Sequence, residues 1–129
     1  MKLDEVIKLR GEIAACERRL ESLREFETAM TSRLDGLPKA TARVSKVEKL
    51  ALQIVESESS LAQLYAEVDE KASELAEEIF RRVDGMSCTV LFKRYVMCKT
   101  FAQIASETNY SEPNIYYWHR QGVKAFGRG

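Results

Sequence analysis

Hydrophobic residues recur every seven positions in the first part of the chain, in two rows that lie three residues apart. The first row contains Val6, Ile13 and Leu20, and the second contains Leu9, Cys16, Leu23 and Met30. Charged residues flank both rows, which is the a/d pattern of a coiled coil. The pattern predicts a helix over residues 3–34, and Gly36 and Pro38 are typical of the stop that would follow it.

The middle of the chain repeats this spacing. A capping box at Ser45–Glu48 predicts a second helix over residues 45–83. One of its rows contains Val47, Ile54, Leu61, Val68 and Leu75, and the other contains Ala51, Glu58, Tyr65, Ala72 and Ile79. A helix of ~38 residues is ~57 Å long and cannot bury such a stripe alone. Because the connection is short, we predict an antiparallel helical hairpin, a coiled coil within residues 1–84.

The hairpin can also pair with a second copy of the chain, and we expect a homodimer formed through the coiled coil. Glu27 and Glu58 interrupt the two seams, however, and polar seam residues weaken a simple zipper. The pattern therefore leaves open whether the helices pair within one chain, between chains, or both.

Composition narrows the fold class. The chain has 129 residues, 45% of them apolar, with 20 Lys+Arg, 20 Asp+Glu, 6 Gly and 2 Pro. This balance excludes a disordered chain and disfavours a turn-rich β-sandwich, so we predict an all-α protein. No stretch approaches the ~20 apolar residues that span a bilayer, and the first residues lack the apolar core of a secretory signal. We therefore expect no membrane partner and a cytoplasmic location.

Charge is divided unevenly along the chain. Residues 1–84 carry a net charge of −4 and residues 85–129 a net charge of +4. The division falls at Asp84–Gly85, which is itself a turn signal. Such asymmetry indicates two tasks in one chain, so we predict a second domain over residues 85–129.

Three short helices are predicted in this second domain. Ser87 begins the first, which runs to Val96, and the capping box Thr100–Gln103 opens the second, which ends near Thr108. Asn109 suits the left-handed conformation of a tight turn. Ser111 then caps the third helix, 111–126, with Pro113 in its first turn. Two short helices joined by such a turn form a helix-turn-helix.

A helical wheel divides the third helix into two faces. The predicted core face contains Ile115, Trp118, Gly122, Ala125 and Phe126. The opposite face carries cations, an amide and two phenols, and it suits the major groove of double-stranded DNA. We predict that lysines and an arginine outside this helix add phosphate contacts. The predicted DNA-binding residues are Ser111, Pro113, Asn114, Tyr116, Tyr117, Arg120, Gln121, Lys124, Lys93, Arg94 and Lys99.

Nothing in the sequence points to an enzyme. Cys16, Cys88 and Cys98 are odd in number and widely spaced, and His119 is the only histidine, so we predict no metal site and no cofactor. No phosphate-binding loop, nucleophile elbow or zinc-protease motif occurs, and we predict no catalytic residue. We interpret His119 as a packing residue that hydrogen-bonds to backbone or phosphate.

Residues Leu91–Phe126 resemble a known group of proteins. The matching positions are Leu91, Arg94, Tyr95, Phe101, Ile104, Ala105, Tyr110, Ser111, Trp118 and His119. This pattern is similar to the C-terminal part of small phage- and prophage-encoded regulators, which are similar in turn to the helix-turn-helix of sigma-70 region 4. With the preceding helix, the resemblance covers residues 44–126. It implies a phage-type transcription regulator in a bacterial host cell, with RNA polymerase as a second partner.

Two classes of function follow. The first is a sequence-specific DNA-binding transcription regulator that reads the major groove with helix 111–126. The alternative is an interaction adaptor that docks on RNA polymerase or a sigma factor, and a variant is a DNA-packaging subunit similar to the small terminases. The net charge of residues 85–129, +4, is modest for a DNA-binding domain, so the sequence leaves the alternative open. In that helix, Gly122 stands where the family has Ala, at a cost of about 1 kcal/mol in helix propensity.

Overall fold

The structure, a computed structural model, describes residues 2–34 and 41–128 and contains only helices and short connections over those ranges. The helices are α1 (Glu5–Leu34), α2 (Thr41–Arg82), α3 (Gly85–Leu91), α4 (Phe101–Thr108) and α5 (Glu112–Arg128). A π-helical turn, Phe92–Val96, continues α3. The predicted all-α class is confirmed. None of the described helices combines the length and the hydropathy that a membrane crossing requires.

The two long helices follow the predicted periodicity, with one corrected boundary. The second helix begins at Thr41, so Ser45 lies one turn inside it and the prediction that Ser45 caps the helix was wrong. The four residues from Thr41 to Val44 include neither Gly nor Pro, so nothing in them prevents the helix from beginning earlier. The predicted stop at Gly36 and Pro38 lies outside the described residues.

The chain forms two compact units. One comprises residues 10–66, and the other comprises residues 1–9 together with residues 67–129. Both long helices therefore contribute to both units, and the compositional boundary at Asp84–Gly85 lies inside the second unit.

In the unit of residues 10–66, α1 and α2 share an apolar core. Leu20, Leu50 and Ile54 are buried together, and partly buried residues pack around them: Leu23, Met30 and Leu61. Polar contacts between the helices join Arg24 to Glu58 at 3.0 Å and the Tyr65 hydroxyl to Glu17. These contacts explain one of the two interruptions in the heptads, because Glu58 is exposed and bonds to Arg24 of α1.

In the second unit, buried apolar residues come from the start of α1, the end of α2 and the C-terminal helices. The buried residues include Val6, Val68, Leu75, Ile79, Val83, Val90, Leu91, Ile104, Ile115 and Phe126. Arg82, at the end of α2, donates a hydrogen bond from Nη1 to the Phe126 carbonyl oxygen at 3.3 Å. Its guanidinium also lies 4.9 Å from the centre of the Phe126 ring. These contacts attach the end of α2 to the last turns of α5.

Candidate nucleic-acid interface

The segment after α3 widens into a π-helical turn, whereas the sequence predicted a helix of one type through Val96. The N–H of Met97 bonds to the Phe92 carbonyl at 3.1 Å, and the N–H of Lys99 bonds to the Lys93 carbonyl at 3.0 Å. Cys98 follows in the left-handed region, with φ 57°. Glycine usually supplies this conformation at the end of a helix. Arg94 Nη1 donates to the Lys99 carbonyl at 3.0 Å and so holds the reversal of the chain.

The predicted cap and turn around α4 are confirmed. The Thr100 hydroxyl accepts from the Gln103 N–H at 3.1 Å, and the Gln103 side chain accepts from the Thr100 N–H at 2.8 Å. Asn109 ends the helix in the left-handed region with φ 62°. Ser111 Oγ then accepts from the Asn114 N–H at 3.4 Å. The connection between α4 and α5 is therefore three residues long, Asn109 to Ser111.

Apolar contacts hold α5 on α4 and α3. Val90, Ile104, Ala105 and Ile115 form one buried cluster, with Phe101 and Trp118 packed against it. Ala105 is 8% exposed, so the small side chain expected there lies inside the cluster. These contacts decide which face of α5 is turned inward.

Gly122 lies where α5 approaches α3 most closely. A Cβ atom on Gly122 would lie 2.8 Å from Cγ of Leu91 and 3.2 Å from the carbonyl oxygen of Ser87. Leu91 is fully buried, so it has little freedom to move aside. The sequence indicated only a cost at this position, whereas the structure shows that the missing Cβ permits the contact.

The outer face of α5 presents the residues that the wheel predicted. Tyr116 is 42% exposed and Tyr117 is 50% exposed. The remaining predicted residues of α5 and its cap are also exposed: Ser111, Pro113, Asn114, Arg120, Gln121 and Lys124. The structure therefore places all eight of these residues at the surface of the unit.

The three basic residues predicted outside α5 are held in local contacts. Lys93 Nζ bonds to Glu107 Oε2 at 2.9 Å, and Lys99 Nζ bonds to the other oxygen of the same carboxylate. These two lysines hold the pKa of Glu107 below its usual value. The Arg94 guanidinium lies 4.9 Å from the centre of the Phe101 ring. Sequence reasoning missed this role of Glu107, although it is one of only two acids after residue 84.

A group of aromatic side chains packs against the inner side of the exposed face of α5. Phe101 lies 4.8 Å from Tyr116 and 5.1 Å from His119, measured between ring centres. The Tyr95 hydroxyl lies 2.6 Å from His119 Nε2. Burial lowers the pKa of His119, and the charges of Arg94 and Arg120 lower it further.

The Tyr95 phenol completes this arrangement. Burial raises its pKa, so it keeps its proton at neutral pH. We infer that the Tyr95 hydroxyl donates a hydrogen bond to Nε2 of a neutral His119, which then carries its proton on Nδ1. The histidine was predicted to bond to backbone or phosphate, whereas the structure pairs it with a phenol.

The described residues offer no obvious site for a metal ion. Among them, no three His, Cys, Asp or Glu side chains are grouped so that they could hold one. The three cysteines are partly buried and unpaired by disulfides. Burial raises the pKa of the Cys88 thiol, with a further contribution from Asp84, which keeps it protonated and weakly nucleophilic.

No protein-family model, no curated protein and no solved structure matches the chain.

Proposed function

We propose that residues 85–128 form a helix-turn-helix that binds double-stranded DNA and that α5 enters the major groove. The observation that carries the proposal is the outward face of α5, where Tyr116, Tyr117 and Arg120 are exposed while Ile115 and Phe126 are buried. Solvent-facing helices rarely expose two adjacent tyrosines without a binding role. The diameter of an α-helix, about 10–12 Å with its side chains, also fits a groove about 12 Å wide.

Arg120 and Gln121 are the candidates for base contacts. A guanidinium can bond to O6 and N7 of guanine, and an amide can bond to N6 and N7 of adenine. Lys124 lies one turn further along the same exposed face and suits a phosphate. The Ser111 cap and the Asn114 side chain lie at the N-terminal end of α5, which in such motifs contacts base edges.

Lys93 and Lys99 contribute less to DNA binding than the sequence suggested. Their ammonium groups share one carboxylate, so a phosphate has to compete with Glu107 for them. Arg94 is further restricted by its contacts with Phe101 and the Lys99 carbonyl. We therefore assign most of the binding energy to α5.

The test begins with selection of bound sequences from a random DNA pool. On a selected site, Arg120→Ala should weaken binding by about 1–3 kcal/mol and relax the preference at one base pair. Lys124→Ala should weaken binding to all sequences similarly and lower the slope of log K against log salt by about 1. Arg18→Ala, an exposed arginine of the other unit, removes the same charge and should leave site preference unchanged.

Absence of any DNA binding at low salt, in a chain whose helical content is intact, would refute the proposal. Equal loss on every sequence for Arg120→Ala would instead make Arg120 a phosphate contact and remove it from base reading.

We further propose that the chain is a phage-type transcription regulator of a bacterial cytoplasm and that α1 and α2 form an antiparallel hairpin. The resemblance of residues 44–126 supports the first part. The contacts of Arg24 with Glu58 and of Tyr65 with Glu17 support the second.

A second candidate is an adaptor that docks on RNA polymerase or a sigma factor. The ion pairs of Lys93 and Lys99 favour it, because Glu107 offsets one of the two positive charges that nonspecific DNA binding could use. Retention of the chain by RNA polymerase, together with no shift of DNA at low salt, would support the adaptor.

A further inference from the structure

Two grooves run along opposite sides of the α1–α2 pair in the unit of residues 10–66. The first, here called the acidic groove, has an apolar floor of Leu20 and Leu61 and an edge of Glu17, Glu21 and Glu25. Arg24 also lines it, so its charged residues sum to −2. The groove is open to solvent along its length and its glutamates are exposed.

The second, here called the basic groove, lies on the other side of α1. It consists of two adjoining depressions that share Gln53. Its floor is formed by Leu23, Met30 and Leu50, and its charged residues are Arg19, Lys46, Lys49 and Glu56, which sum to +2.

Phe26 stands at the edge of the basic groove. Its side chain is 58% exposed, whereas Ile13 and Leu20 of the same helix are buried and Leu23 and Met30 are half-buried. An exposed aromatic ring beside an apolar floor is typical of a contact surface rather than of a solvated helix face.

The two grooves match each other in charge and in position. The acidic groove occupies residues 17–28 of α1, and the basic groove occupies residues 19–30 of the same helix. The lysines lie beside Phe26 and Met30, so a second copy displaced sideways, without a shift along the helix, brings Glu25 level with Lys49. Opposite charges around an apolar strip favour one partner and one register.

We propose that the face with the basic groove in one chain packs against the face with the acidic groove in a second copy. The chains then associate side by side through two different faces. Such a contact is heterologous, and it continues to further copies until a ring closes or a filament forms. The sequence predicted a symmetric dimer instead, in which one face meets itself. The proposal does not depend on DNA binding, and its test uses no DNA.

The experiment is a charge exchange in the full-length chain, read by sedimentation velocity at about 0.05 M and about 0.5 M salt. Wild type should associate beyond a monomer at low salt and dissociate at high salt. Lys49→Glu and Glu25→Lys should each weaken association about tenfold or more, because each places like charges together. The chain that carries both substitutions should recover association, since its two grooves have exchanged signs at these positions.

Two control variants make the same charge changes outside the grooves. Arg18→Glu and Glu48→Lys alter exposed residues that line neither groove, and they should associate as wild type does. Circular dichroism of every variant checks that the helices are retained, as expected for substitutions at the exposed positions 25 and 49.

The outcomes separate the possible contacts. A wild-type chain that stays monomeric at low salt overturns the proposal. Weakening by only one of the single variants, with no recovery in the double variant, indicates a contact that does not pair the two grooves and also overturns it. Loss with both single variants and recovery in the double variant supports it.

Discussion

Gly122 provides the sharpest test of how α5 is held, because two opposing effects act on the same added methyl group. In an exposed helix, Gly→Ala stabilises by about 1 kcal/mol through backbone entropy and helix propensity. At Gly122 the added Cβ would lie 2.8 Å from Cγ of Leu91, well inside van der Waals contact. The carbonyl oxygen of Ser87, at 3.2 Å, closes a second direction.

The expected sign follows from these magnitudes. Overpacking a close-packed core costs typically about 1–3 kcal/mol. Leu91 is fully buried and the Ser87 carbonyl belongs to a helix backbone, so neither yields cheaply. Subtracting the propensity gain of about 1 kcal/mol, we expect Gly122→Ala to lower the free energy of unfolding by about 0–2 kcal/mol.

Gly11→Ala is the matched control. Gly11 lies inside α1, and a Cβ there would meet nothing within 4 Å. This variant should therefore gain up to about 1 kcal/mol. The two substitutions are chemically identical, and their difference of about 1–3 kcal/mol isolates the contact between α3 and α5.

Urea unfolding followed by circular dichroism measures both variants, with the slope m checked for a change in the unfolding reaction. If Gly122→Ala proves as stabilising as Gly11→Ala, α5 does not approach α3 as described and the assignment of its inner face fails. DNA binding by Gly122→Ala provides a second reading, because a displaced α5 also moves Arg120.

Three further predictions concern the same unit. Thr100→Ala removes one side of the capping box and should lower the free energy of unfolding by about 1 kcal/mol. Ser106 is an exposed position of the same helix, and Ser106→Ala should be close to neutral in the same urea assay. Asn109→Gly should be neutral or stabilising and Asn109→Ala destabilising by about 1 kcal/mol, because φ is 62° there; equal stability of the two variants would contradict the left-handed turn. In the folded chain the pKa of His119 lies below its usual value of 6.5. As the pH falls through 6.5, the unfolded chain therefore binds more protons than the folded chain does. The free energy of unfolding should then decrease from pH 7.5 to 5.5. His119→Gln should reduce that decrease, and because the chain has one histidine, an NMR titration measures its pKa directly; a value at or above 6.5 would refute the burial argument.

The local features of the candidate interface were predictable from residues close together in the chain. A capping box spans four residues, and a left-handed turn needs a suitable residue at one position, so Thr100, Gln103 and Asn109 carried their own signal. The two faces of α5 were predictable for the same reason, since a period of 3.6 residues decides which side chains share a side.

The partners and roles of several polar side chains could be found only from the structure. From the sequence, Lys93 and Lys99 were predicted to be free for phosphate. In the structure both form ion pairs with Glu107 of α4. Ser45 read as a helix cap because its own neighbours suit one, but the helix begins earlier, at Thr41.

The sequence by itself determined the helical class, the heptad seams and the exposed face of α5, because each depends on periodicity or on contacts within one turn of helix. Only the tertiary structure decided that Gly122 faces Leu91, that Tyr95 bonds to His119, and that two grooves of opposite charge lie on either side of the α1–α2 pair. Those features join residues far apart in the chain. No spacing encodes them, because they depend on how the helices pack.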